Sequence, residues 1–236
     1  MTKLLCLKDS YLQECTARAV EVNENEVIFD KTIFYPTGGG VPCDTGTIAS
    51  NEKTINVIEV RKKEGKIIHV TNGSLNINDE CTLKINWARR YACIKMHTAA
   101  HVLGATMFAH NALITGNQIG ETETRFDFSL EEFDREKINE IVRDANEKLA
   151  SKAKVRVYEL PREEAFKIPG IVKLAERLPP SIAVLRIVEI GSFDTQADGG
   201  CHVHNTSECG EIEITRLENK GAKNKRIYFK LNALKD

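Results

Sequence analysis

No run in the chain approaches the ~18 consecutive apolar residues of a membrane helix, and the opening MTKLLCLKDSYLQEC meets charge too early for a secretory leader. A soluble protein of the cytoplasm, without a membrane partner, is expected. The seven cysteines (6, 15, 43, 81, 93, 201 and 209) include no CxxC pair, and their odd count fits reduced thiols better than a disulfide framework. Neither charge sign is in excess: 33 Lys and Arg against 34 Asp and Glu exclude a generally basic coat, so any nucleic-acid partner must be held by a local patch. There is no GxxxxGK[ST] phosphate loop, no GxSxG elbow, no internal repeat and no low-complexity linker.

What is present divides in two. Up to about residue 86, short β-rich runs (CTARAVEV, EVIFD, TGTIAS, TINVIEV, KIIHV, CTLKINW) alternate with turn signals such as TGGG, KEG and TNGS, as in a small β-barrel. From Arg89 the text becomes alanine-rich and helical, with Tyr91, Ile94, Met96, Val102 and Met107 available for burial. A strand TRFDF follows, then a second helix capped by Ser129 with Glu132 three residues on, burying Phe133, Ile138, Ile141, Val142 and Leu149. KVRVYEL, short helices after Pro161, IAVLRIVEI and a hairpin over GEIEITRLENKGAKNKRIYFKL complete the chain. The expected fold class is α+β: a barrel domain over 1–87, then over 88–236 two long helices against an antiparallel sheet.

His97 and His101 stand four apart in KMHTAAHVLG, a spacing that puts two imidazoles on one helix face with β-carbons ~6 Å apart. Two ligands do not make a site, and HxxxH lacks the glutamate of HExxH. ADGGCHVHN offers Asp198, Cys201, His202 and His204, with Gly199 and Gly200 allowing close backbone approach. In an extended strand His202 and His204 would share one side and Cys201 the other; a turn through Cys201 would void that parity.

HTAAHVL followed by DGGCHV resembles the HxxxH and CxxxH pair of the editing domain of alanyl-tRNA synthetases and of the free-standing AlaX-type trans-editing proteins, related to the threonyl-tRNA synthetase editing fold. The likeness extends to FDKTIFYPTGGGVPCDTG (29–46), ARRYACIKMHTAAHVL, GNQIGETETRFDF, VYELPREEA and NKGAKNKRIYF, nearly the whole chain. The glycine-rich segment makes it similar to the medium-length or longer AlaX forms. In the family pattern CGGTH the cysteine and histidine are ligands; here an aspartate, Asp198, stands in the cysteine's place and Cys201 in that of the threonine.

The resemblance implies one zinc per chain held by His97, His101 and His202, which would also carry catalysis, with Asp198, Cys201 or a water as fourth ligand. It implies hydrolysis of the ester joining a wrong amino acid, chiefly serine and also glycine, to the acceptor end of tRNA(Ala). The absence of a nucleophile motif fits direct hydrolysis of an activated ester. By the resemblance, Thr32 is expected to be the polar partner that alanine would leave unsatisfied, with Gln118 as a second polar wall, and Gly38, Gly39 and Gly40 to close over the site or contact the acceptor end. Thr32 could equally be an ordinary strand threonine, and the glycine run simply a turn. Val41, where the family often has glutamine, weakens a side-chain contact there. Lys220, Lys223, Lys225 and Arg226 in the hairpin turn, with Arg89 and Arg90, form the local patch expected to meet tRNA phosphates. Arg89 and Arg90 could instead pair with carboxylates such as Asp127. A catalytically impaired tRNA-binding accessory protein is the alternative reading that the Cys-to-Asp exchange leaves open.

Overall fold

A computed structural model of the chain describes residues 2–50, 53–130, 134–171, 182–221 and 224–233. It divides into two compact units, Met1–Ile94 and Lys95–Asp236. The division falls inside the first helix rather than before it.

The first unit carries β1 (Lys3–Leu4), β2 (Glu14–Asn23), β3 (Glu26–Phe29), β4 (Lys31–Thr32), β5 (Gly46–Ser50), β6 (Lys53–Lys63), β7 (Lys66–Thr71) and β8 (Glu80–Ile85). Six of these close into an antiparallel barrel in the order β2-β3-β7-β6-β5-β8, and β1 pairs with β4 beside it. Period-two alternation drives the closure: inward Ala17, Ala19, Val27, Phe29, Ile48, Ile55, Val57, Val60 and Leu83 form one buried core. Glu64 and Gly65, with φ of 51° and 77°, make the tight β6–β7 turn that KEG announces. Arg90, which is 1 % exposed, is anchored in this unit. Its guanidinium forks onto Asp44 and donates to the carbonyls of Ser10 (3.0 Å) and Ile33 (2.7 Å), so the buried charge is paired and its donors are used.

Helix α1 (Trp87–Ala109) is followed by β9 (Ile114–Gln118), β10 (Thr124–Phe128), α2 (Arg135–Ala150), β11 (Val155–Pro161), the single turn α3 (Arg162–Ala165), β12 (Val184–Ile190), β13 (Asp194–Ala197), a 3-10 turn (Thr206–Glu208), β14 (Glu211–Asn219) and β15 (Lys225–Asn232). These strands make two antiparallel sheets rather than one, β14-β15-β10-β9 and β11-β12-β13. Two of them, β9 and β13, were not expected from the sequence. Within the second unit α1 lies close on the four-stranded sheet: a β-carbon on Gly104 would stand 2.8 Å from Ile114 Cδ1. Asn146 clamps α2 to β14 through paired bonds with the backbone of Ile212 (3.0 and 2.8 Å).

The cap of α2 differs from expectation. Asp134, not Ser129, ends the extended approach and accepts from the N–H groups of Glu136 and Lys137. Ser129 lies before the helix and accepts instead from Leu113 N–H (2.9 Å). Glu132 and Phe133 lie outside the described residues; of the short helices expected after Pro161, α3 is present, and residues 172–181 also lie outside the described residues. Among the described residues no helix is long and apolar enough to cross a membrane.

Candidate metal centre

The helical period places His97 and His101 on one face of α1, their rings edge to face with centroids 4.8 Å apart. His202 comes from the irregular segment between β13 and the 3-10 turn, and its ring lies 4.3 Å from that of His97 and 4.6 Å from that of His101. Asp198, just past the end of β13, closes the group. Its Oδ1 is 3.4 Å from His97 Nε2, 3.3 Å from His101 Nε2 and 3.3 Å from His202 Nε2. All four donor atoms lie within 4.8 Å of one another. A tetrahedral ion with bonds of about 2.0–2.1 Å separates its ligand atoms by about 3.3 Å, so the three edges at Asp198 have the length one bound cation imposes. Three imidazole nitrogens and a carboxylate oxygen suit zinc and other first-row divalent ions, and the residues therefore fit a metal.

Each imidazole is held by its other nitrogen. His97 Nδ1–H donates to the carbonyl of Cys201 (3.2 Å), and His101 Nδ1 faces Asp194 Oδ2 (3.1 Å). His202 Nδ1 faces Thr98 Oγ1 (3.1 Å), which also accepts from Val203 N–H (3.2 Å). With the proton at Nδ1, each Nε2 faces the common centre, and His101 must give up its Nε2 proton before it can ligate. Gly200 N–H donates to Asp198 Oδ2 (2.5 Å), turning Oδ1 inward. A β-carbon at Gly200 would meet His97 Cε1 at 2.3 Å and Nδ1 at 2.7 Å, so only glycine permits this approach.

The electrostatics match the geometry. Burial pushes His97 down to about 4, against the pull of Asp198, and holds His202 well below the usual imidazole range with help from its histidine neighbours. Burial also lowers His101, but the bonds to Asp194 and Asp198 outweigh it and raise the group to about 9. Asp198 is held well below the usual carboxylate range: burial opposes this, and His97, His101 and His202 overcome it. Two imidazoles and the carboxylate are thus in their ligating forms at neutral pH, and His101 has a proton to release to an arriving cation.

The structure brings His97, His101, His202 and Asp198 together; the Cys201 thiol is not in the cluster, and the residue contributes its carbonyl. Residues 198–203 form no strand, so the parity that would pair His202 with His204 does not apply, and His204 is exposed. Sequence reasoning passed over Thr98, Asp194 and Gln196. The DTQA run carried a signal, since Asp194 and Gln196 alternate onto the buried side of β13.

The other expected residues lie as follows. In the first unit Thr32 is fully buried, its hydroxyl accepting from Phe34 N–H (3.1 Å) and facing His69 Nε2 (2.9 Å). Gly39 and Gly40, with φ of 61° and 83°, make a tight turn closed by paired bonds between Gly38 and Val41. Gln118 is exposed at the end of β9. Of the expected phosphate patch, Arg90 is withdrawn into the first unit and Lys225 is buried, its ammonium on Asn219 Oδ1 (3.0 Å) and the Gly221 carbonyl (2.6 Å). Neither is on the surface, because each satisfies protein acceptors. Arg226, not Arg89 or Arg90, pairs with Asp127 (2.6 and 3.0 Å). Arg89 donates to the Cys43 carbonyl (3.0 Å), Lys220 is exposed beside Glu218 (2.7 Å), and Lys223 lies outside the described residues.

Residues 185–228 match the threonyl and alanyl tRNA synthetase second additional domain, and residues 3–89 match the class II (A) tRNA synthetases. The alanyl-tRNA editing protein AlaX-M of Saccharolobus solfataricus is 47 % identical over 97 % of this chain and 98 % of its own length. The AlaX-M of Methanosarcina barkeri is 41 % identical over 98 % and 99 %. An alanine–tRNA ligase of Ignicoccus hospitalis is 34 % identical over 90 % of this chain, which spans 24 % of that enzyme. With a similarity that runs through both units at such identity, the chain belongs to the AlaX-M family of alanyl-tRNA editing proteins.

Proposed function

We propose that this protein is an aminoacyl-tRNA deacylase of the cytoplasm that hydrolyses, in trans, the ester of mischarged tRNA(Ala), chiefly Ser-tRNA(Ala) and secondarily Gly-tRNA(Ala). The observation that carries the reading is the convergence of three Nε2 atoms and Asp198 Oδ1 on one point, in a chain that is 47 % identical to a named alanyl-tRNA editing protein.

His97, His101, His202 and Asp198 would hold one zinc ion, with Cys201 supporting the shell through its backbone carbonyl. Bound there, zinc supplies a Lewis acid that polarises the substrate or its attacking water. The chain's own part is orientation. Its imidazoles are locked by Cys201, Asp194 and Thr98, so little reorganisation accompanies reaction. The ester is activated, and a buried polar cluster without a nucleophilic serine or thiol suits direct attack by water.

Discrimination against alanine is assigned to Thr32 and Gln118, and contact with the acceptor end to Gly38, Gly39 and Gly40; these assignments rest on the resemblance. For phosphate contacts the reading retains Arg89, Lys220, Lys223 and Arg226. Deacylation of Ser-tRNA(Ala) and Ala-tRNA(Ala) by zinc-loaded protein tests the proposal. Serine is expected to be released and alanine spared, with His97→Ala at the uncatalysed rate. Equal rates for wild type and His97→Ala would contradict it, and loss of the serine preference in Thr32→Val would support the role of that hydroxyl.

A further inference from the structure

A second buried carboxylate stands behind the cluster without belonging to it. Asp194 is 2 % exposed on β13, and its Oδ2 faces His101 Nδ1 (3.1 Å) and accepts from the Gln196 side-chain amide (3.2 Å), which also reaches His101 Nδ1 (2.5 Å). His101 therefore lies between two carboxylates, Asp194 at Nδ1 and Asp198 at Nε2. Among the described residues, the partner at Nδ1 is a carbonyl oxygen for His97 and a hydroxyl for His202.

This asymmetry has a use. An uncompensated buried anion is costly, and here two carboxylates are buried around three imidazoles. A divalent cation at the point where the ligand atoms meet balances them, so that metal, Asp198 and Asp194 sum to zero charge. A charged acceptor on Nδ1–H also raises the electron density at the opposite nitrogen and fixes the ring plane, as in carboxylate–histidine–metal arrangements.

We propose that Asp194 is a positioning residue of the metal centre, which orients His101 and supplies the second negative charge that retains the ion. The inference rests on the metal reading made above. The variants that separate charge from fold are Asp194→Asn, which keeps an oxygen acceptor for Nδ1–H, and Asp194→Ser, a smaller neutral acceptor that serves if the first does not fold. Zinc affinity is measured by competition with a chromophoric chelator, together with the visible d–d spectrum of the cobalt-substituted protein. A folded neutral variant, with the wild-type far-ultraviolet circular dichroism, is expected to bind zinc about 10–100-fold more weakly and to show an altered cobalt spectrum. Zinc affinity within about threefold of wild type and an unchanged cobalt spectrum, in a folded variant, would overturn the proposal, since a purely structural role moves stability and neither of these. If wild type itself binds zinc no more tightly than His97→Ala, it is the metal reading that fails.

Discussion

Gly200 shows how closely one residue can determine the centre. It lacks a side chain where a methyl group would stand 2.3 Å from His97 Cε1, and its N–H holds the outer oxygen of Asp198. Gly200→Ala must therefore displace a ligand or the turn that carries another. The expected result is a folded protein whose zinc affinity, by chelator competition, falls at least about tenfold, the scale on which disturbed ligand orientation is felt. Unchanged affinity would mean that the turn relaxes without moving His97. At this scale the sequence was informative about the clustered histidines and silent about their supports. His97, His101 and His202 were legible from spacing and family resemblance, and the choice among Asp198, Cys201 and water was not, because it depends on which way a glycine turn faces. Thr98, Asp194 and Gln196 are single polar letters in a helix and a strand, and only burial distinguishes them from surface residues.

Among the elements, those with a repeating apolar pattern were readable and those defined by one or two local bonds were not. The barrel strands are short β-rich runs between turn signals, and TRFDF is β10 residue for residue. By contrast β9, with the sequence ITGNQ, has little apolar alternation, and β13 is four residues long. The α2 cap shows the same limit: SLEE looks like a start, and the structure caps the helix at Asp134. Asp134→Ala is accordingly expected to destabilise the second unit by about 1 kcal/mol in urea, the usual worth of such a cap. A negligible change would place the functional start of the helix elsewhere. In the basic hairpin, Lys225 closes the turn and Arg226 pairs with Asp127, contacts that no sequence pattern announces.

On the scale of the whole chain, the two units carry different titration behaviour. His69, fully buried in the first unit, donates from Nδ1 to the Val27 carbonyl (3.2 Å) and receives the Thr32 hydroxyl at Nε2. Burial lowers it to about 4. Its folded value lies below its unfolded one, so between the two the unfolded chain binds more protons and stability rises with pH. The contribution is whole above about 6.5 and is lost progressively as pH falls towards about 4, with a ceiling of about 3 kcal/mol. The only tryptophan, Trp87, packs on the barrel core and reports this unit's unfolding by fluorescence. His69→Gln is expected to flatten the dependence in that window, and an unaltered slope would show that another group carries it.

The account as a whole turns on a metal centre that acts on an aminoacyl ester, and one titration addresses it most directly. Protein stripped with a chelator is given zinc in increments while serine release from Ser-tRNA(Ala) and bound metal are followed together. The account predicts that stripped protein is inactive, that activity rises linearly and breaks at one zinc per chain, and that Ala-tRNA(Ala) stays intact throughout. Full activity in stripped protein, or zinc binding without any gain in serine release, would contradict it.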